Sequence, residues 1–219
     1  MKNVTLYGFK PSVYSRIAKL VLAEKSISYH FQNIDPFVGK TSPPVHALHP
    51  FGLVPILDHA GFCIYETAAI TRYLDAQSPP PHLVPTQAKA AARMAQVIAI
   101  VDAHAYWPMV RQVFAHRVYR PAEGLVADES VVSQGAAAAE TVLGALDRIA
   151  KEGLVLNRRT ATLADCHLAP MVAAFAAAPE GRIALQRHGT LSAWWQSWKT
   201  RDTTRATDAG FDHLSSGNA

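Results

Sequence analysis

The chain has 219 residues, 49% of them hydrophobic and 17% charged, so it can bury a substantial core and lacks the composition of a disordered protein. Its net charge of +4 is evenly spread: residues 1–80 carry 7 basic and 5 acidic side chains, which leaves 14 and 12 for the rest. No basic block tracks phosphates and no apolar run approaches the roughly 18 residues of a bilayer span, which argues against nucleic-acid and membrane partners.

The start, MKNVTLYGF, alternates like a strand and does not read as a signal peptide. Val4 to Tyr7 predicts that strand, ended by Gly8. Pro11 and Ser12 then open a helix with apolar residues at Ile17, Leu20 and Val21. Alternation at Ile27, Tyr29 and Phe31 predicts a second strand, and VGKTSPP a loop. VPILDHAGFCIYE reads as two strands around the turn Asp58 to Gly61, although Pro55 stands at the entrance to the first of them. Ile70, Tyr73 and Leu74 have helical spacing. SPPPHLVP can be neither helix nor central strand and predicts a linker.

Alanine-rich segments follow, from Ala88 to Tyr119 and from Ser130 to Lys151, both helical in pattern, with Pro108 expected to kink the first. Thr162 to Asp165 fits a capping box ahead of an apolar run, and Trp194, Trp195 and Trp198 suit core packing. The expected organisation is an α/β unit over 1–77, a linker over 78–87, an all-α unit over 88–205 and a frayed tail over 206–219.

Cys63 and Cys166 have neither metal-ligand nor C-x-x-C spacing and suit a reducing, cytoplasmic setting. His46 and His49 are three apart but flank a loop proline and lack a third ligand, so no metal is expected.

Four segments in this order carry a resemblance. HPFGLVPIL resembles NPFG-x-VP, YETAAITRYL resembles ES-x-AI-x-RYL, and RVYRPAEGLVADESVV and TLADCHLAPM resemble a long helix's end and an LAD helix start. These are segments of cytosolic glutathione S-transferases, in the serine-type, phi-like branch, and the match runs over about residues 3–205. The resemblance implies an N-terminal thioredoxin-like domain and an all-helical C-terminal domain, glutathione as co-substrate without a metal, and a homodimer. It also implies a cis Val54–Pro55 bond, which presents the Val54 backbone to the cysteinyl part of glutathione, as an added strand would be held. Glu66 would take the γ-glutamyl amine and Thr67 its carboxylate, at a helix start that favours anions. Lys40 would pair with the glycyl carboxylate. Two positions depart from the pattern: threonine replaces serine at 67, and Leu53 replaces a glutamine that could donate a hydrogen bond.

The reaction requires a thiolate. Three hydroxyls compete to stabilise it: Tyr7, Ser12 and Ser15. The spacing Ser12-x-x-x-Arg16 matches serine-type members and favours Ser12, with Tyr7 on the first strand and Ser15 within the helix as alternatives. Neither cysteine lies at this turn, which argues against glutaredoxin-like exchange. An acceptor pocket is expected between the loops around Phe9 and Phe37 and the long helix, where Tyr106, Val110 and Phe114 are four apart. The reading implied is a transferase that conjugates glutathione to apolar electrophiles or reduces hydroperoxides. A glutathione-dependent isomerase or dehalogenase and a non-catalytic binding protein remain the alternatives.

Overall fold

The computed structural model describes residues 1–37, 45–208 and 210. They form two compact units, Met1–Val84 and Pro85–Ala219. The first contains β1 (Val4–Gly8), α1 (Val13–Glu24), β2 (His30–Asn33), α2 (Val45–Leu48), β3 (Ile56–His59), β4 (Phe62–Tyr65) and α3 (Thr67–Gln77). The strand order is β2-β1-β3-β4, with β1 parallel to β2, antiparallel to β3, and β3 antiparallel to β4. A parallel pair needs a crossover, and α1 supplies it. This is the thioredoxin-like arrangement.

Along β1, Val4, Leu6 and Gly8 are buried. A β-carbon on Gly8 would lie 2.8 Å from Ser15 Oγ, so this face of the strand looks at α1. Tyr7 points to the opposite face, where it packs with Leu48 against Ile34 and Ile56. β2 begins later than the alternation at Ile27 predicts. Ser26, at φ 52°, donates to Ala23 O and Ile27 donates to Leu22 O, the paired bonds of a Schellman closure. Residues 25–27 therefore finish α1 before the strand can start.

The proline-rich stretch belongs to the first unit as far as Val84. Lys25 Nζ donates to the carbonyls of Pro79 (2.9 Å) and Pro81 (2.5 Å) and pairs with Asp75 at 3.2 Å. Asp75 in turn accepts from the backbone N–H groups of Leu83 (2.7 Å) and Val84 (3.1 Å). The unit boundary thus falls inside the sequence-predicted linker, not before it.

The second unit runs α4 (Ala88–Ile100), a π-type helix (Val101–Tyr119), α5 (Arg120–Ala122), α6 (Glu129–Lys151), α7 (Leu163–Ala177), α8 (Pro179–Gln186), α9 (Gly189–Trp198) and α10 (Asp202–Ala206). The periodicity over 88–119 predicts one α-helix; the structure changes its winding at Val101, and the Arg120 N–H reaches back to Ala115 O. Pro108 lies within the wide-wound part and has no N–H to contribute to either ladder. Gly135 of α6 lets that helix approach closely, since a β-carbon there would lie 2.8 Å from Pro108 O.

α7 is buried from Leu163 to Val172 without a polar face, as suits a central helix. Its start is pinned by Asp165, whose Oδ2 accepts from Thr162 N (2.8 Å) and Thr162 Oγ1 (2.6 Å). Oδ1 accepts from Trp194 Nε1 at 2.7 Å, which ties α9 to α7. Burial raises the Asp165 carboxyl to about 6 in spite of those donors, and burial lowers His167 to about 3.

These two shifts link stability to pH with opposite signs. His167 binds a proton near pH 6.5 when unfolded but only near 3 when folded, so its contribution to stability is full above pH 6.5 and is lost as pH falls. Asp165 holds its proton up to about 6 when folded, so it favours the folded state on acidification. The difference in unfolding free energy between wild type and His167→Met isolates the histidine. It should shrink by on the order of 2–3 kcal/mol between pH 6.5 and 4.5, as read by urea denaturation. A pH-independent difference would show that His167 is not held neutral.

Candidate active site

The turn between β1 and α1 separates the three hydroxyls. Ser12 is the N-cap of α1, and its Oγ accepts from Ser15 N–H at 3.2 Å. An accepted bond leaves the hydroxyl proton available, and no acceptor for it lies among the described residues. Ser15 is fully buried, and its Oγ accepts from Phe9 N–H at 3.1 Å. Tyr7 faces the Ile34–Ile56 cluster on the other side of the sheet. Of the three, Ser12 alone presents a hydroxyl at the helix start.

The electrostatics of this turn favour an anion. Lys19 lies 3.6 Å from the centroid of the Phe31 ring, and its ammonium is held below the usual lysine range by burial first, then by Lys10 and Arg16. Those mutual effects place three cations near one another on the α1 side of β1 and β2. The N-terminal end of α1 adds its partial positive charge.

The other end of the site is a hairpin end. The Val54–Pro55 bond is cis, and β3 starts at Ile56. The register pairs Ile56 with Tyr65, the last pair of the ladder, so Pro55 and Glu66 each directly adjoin a residue of that pair. Glu66 caps α3 with φ 67° and ψ 114°, a conformation that costs a non-glycine residue on the order of 1–3 kcal/mol. Its carboxylate makes no capping bond. Thr67 is buried, and its hydroxyl has no partner among the described residues. An uncapped helix start with a strained acid beside it is suited to a zwitterion, an amine for the acid and a carboxylate for the helix.

Leu53 is exposed and offers no donor. Lys40 lies outside the described residues.

Phe9 and Phe37 meet edge to face at 6.1 Å, with Phe37 strongly exposed. Tyr106 is half-buried, whereas Val110 and Phe114 are buried at 7% and 3% exposure. All three lie in the π-type helix, where the wider turn carries an i, i+4 series round the axis.

Cys63 is exposed, but its thiol donates to Asp58 Oδ2 at 3.5 Å and is pushed up by burial, then by Asp58. Cys166 is buried in α7. Neither is at the Ser12 turn. Among the described residues no group of three or more His, Cys, Asp or Glu could hold a metal ion. Sequence reasoning weighed His49 only as a metal ligand; the structure puts it beside Tyr65 at the hairpin end.

The first unit is thus a thioredoxin-like sheet with a serine-capped first helix and a cis-proline corner, and the second unit is helical. The comparisons give the family. A model described as the glutathione S-transferase N-terminal domain matches residues 6–82. The chain is 28% identical to glutathione S-transferase 3 of Zea mays over 214 residues, 95% of each chain. It is 27% identical to glutathione S-transferase F10 of Arabidopsis thaliana over 203 residues, 90% of this chain and 93% of that one. The solved structure of glutathione S-transferase III in apo form matches with a TM-score of 0.82 at 25% identity, over 95% of this chain and 97% of the other. The first unit carries a glutathione S-transferase N-terminal domain, and over nearly its whole length the chain is similar to plant glutathione S-transferases, which supports a phi-like member of that family.

The geometry predicts different consequences for the neighbouring hydroxyls. Ser15→Ala removes the acceptor of a Phe9 N–H and should cost about 1–3 kcal/mol of stability. Gly8→Ala, which forces a β-carbon into Ser15, should cost at least as much. Ser12→Ala loses only a cap, about 0.5–2 kcal/mol. Denaturation midpoints would test the order; a Ser15→Ala variant as stable as wild type would refute it.

Proposed function

We propose that this glutathione transferase activates its co-substrate through Ser12 and attacks apolar electrophiles. A free thiol has a pKa of about 8.5, and lowering it by about 2 units takes roughly 2.7 kcal/mol. A helix N-terminus contributes about 0.3–1 kcal/mol and a hydrogen bond to a charged group about 1.5–3. One hydroxyl at a helix start, with cations nearby, is therefore about sufficient. The observation that carries this reading is that Ser12 Oγ is oriented by Ser15 N–H while its own proton remains free to donate.

In this reading the Val54 backbone pairs with the cysteinyl segment, Glu66 takes the amine, and Thr67 takes the γ-glutamyl carboxylate. Lys40 takes the glycyl carboxylate. The thiolate sulfur forms a bond to the electrophilic carbon and the leaving group departs with its electron pair. Phe9 and Phe37 supply apolar surface for the acceptor, and Tyr106, partly exposed, supplies a phenol that could orient a leaving oxygen. The aromatic side chains of Phe51 and Tyr65 are exposed and in edge contact with each other, which supports a homodimer. Cytoplasmic detoxification is the role that fits such a reaction.

A second reading, a non-catalytic glutathione-binding protein, is favoured by one observation, the exposed Leu53 with no donor to offer. Retention on immobilised glutathione without turnover of a general aryl halide would establish it.

Ser12→Ala should lower turnover by about 10–1000-fold, with a far smaller change in glutathione affinity. Tyr7→Phe and the double variant Cys63→Ala, Cys166→Ala should stay active. A fully active Ser12→Ala with an inactive Tyr7→Phe would overturn the assignment.

The acceptor side has its own test, a panel of halides, epoxides, enones and peroxides. Tyr106→Phe should reorder the panel at an unchanged glutathione KM. Phe114→Ala, a loss from a buried site, should lower Tm and depress all acceptors alike. If both variants scale every acceptor equally, the pocket lies elsewhere.

A further inference from the structure

His49 is buried at 2% exposure, in a loop, next to two of the segments assigned above to glutathione. Its carbonyl accepts from Gly52 N–H at 2.9 Å, which closes a turn over 49–52, with Gly52 at φ 65°. Its Nδ1 accepts from Phe51 N–H at 3.2 Å. A ring nitrogen that accepts carries no proton, so the neutral ring is the Nε2–H tautomer. The side chain thus repeats the carbonyl's action and locks the same turn from inside.

The ring also reaches across the fold. It lies 4.6 Å, centroid to centroid, from the ring of Tyr65, with the planes 37° apart. Tyr65 is the last residue of β4 and is bonded covalently to Glu66. The turn His49 locks leads through Leu53 into Val54. One imidazole therefore touches both chains that end at the site: by hydrogen bond the one that delivers Val54, and by ring contact the one that delivers Glu66. Burial holds the imidazole below its usual pKa, and the Glu66 charge opposes that shift. Phe51, on the exposed side, completes the cluster at 5.8 Å from His49 and 6.5 Å from Tyr65.

The strain at Glu66 gives this brace a purpose. A residue at φ 67° and ψ 114° stays there only if its surroundings over-determine it. The hairpin fixes Tyr65 through its pairing with Ile56, but the ladder stops there. The packing of Tyr65 on His49 is the next restraint outward.

We propose that His49 is a positioning residue for the thiol co-substrate, holding the Val54 and Glu66 segments at the separation that one bound peptide spans. It touches no reacting atom in this proposal. The proposal rests on the glutathione assignment made above, and its signature is a change in glutathione binding with little change in the chemical step.

The test uses three variants with glutathione as the probe. His49→Asn keeps an acceptor for Phe51 N–H, because an asparagine oxygen reaches the N–H two residues on. His49→Phe keeps a ring against Tyr65 and loses the acceptor. His49→Ala loses both. Direct glutathione binding, glutathione KM, kcat at saturating glutathione and Tm are measured for each. His49→Ala should raise Kd and KM by about tenfold, the usual scale for removing a support behind a binding group, with kcat within about twofold. His49→Asn should recover to within about threefold of wild type, and His49→Phe should stay near His49→Ala. If His49→Ala does not fold, the contrast between Asn and Phe still decides the question. An unchanged KM in His49→Ala, or Asn no better than Phe, would overturn the role of His49 while wild type still bound glutathione. A wild type that bound no glutathione would overturn the functional reading beneath it.

Discussion

The thiol end of the site depends on how closely β1 and α1 approach. Gly8 leaves room for Ser15 because it has no β-carbon, and Ser15 Oγ then accepts the Phe9 N–H that follows the strand. That one contact fixes where the helix begins relative to the strand end. Ser12 stands at the position where the free N–H groups of the helix gather, and Ser15 N–H orients it. A buried serine thus positions a half-buried one. The two have the same side chain, and only the packing distinguishes the structural hydroxyl from the available one.

The glutamyl end depends on strand register instead. Pairing Ile56 with Tyr65 brings the chain segments that lead to Pro55 and Glu66 side by side at the end of the ladder. Two short motifs separated by ten residues of hairpin become one surface. The strained backbone of Glu66 and the Thr67 hydroxyl, which has no partner among the described residues, are costs that those residues do not offset. Such costs are kept where a ligand supplies the missing partner.

Much of this was legible in the sequence because it rests on local rules. Strand alternation, a proline and serine before an apolar helix, the turn at Asp58 to Gly61 and the capping box at Thr162 each follow from a few neighbouring residues. The rest depended on contacts that no local pattern encodes. Ser26 reads as part of an alternating strand, but it closes a helix because Ile27 can reach Leu22. The proline-rich linker reads as free chain, but Lys25 and Asp75 bind it to the first unit. Helical spacing through Pro108 gives no sign of the π-type winding, and with it the assumption that Tyr106, Val110 and Phe114 share a face loses its basis. The spacing to Arg16 already favours Ser12 over Ser15 in the sequence, and the structure adds what spacing cannot give: Ser15 is buried, with its oxygen on the Phe9 N–H.

The chain's own thiols sharpen the chemical argument. An exposed cysteine on the same sheet as the serine-capped turn invites comparison with it. Cys63, however, faces Asp58, whose charge opposes ionisation, and burial of the thiol acts in the same direction. Cys166 is sealed inside α7. The cationic environment that favours a thiolate, Lys10, Arg16 and Lys19 with the start of α1, lies where the chain has no sulfur of its own. The protein thus separates the thiols it carries from the field that would activate one. That division suits an enzyme whose nucleophile arrives with a substrate: Cys63 is held above the usual thiol range beside Asp58, Cys166 is buried in α7, and the cations gather at the serine-capped turn.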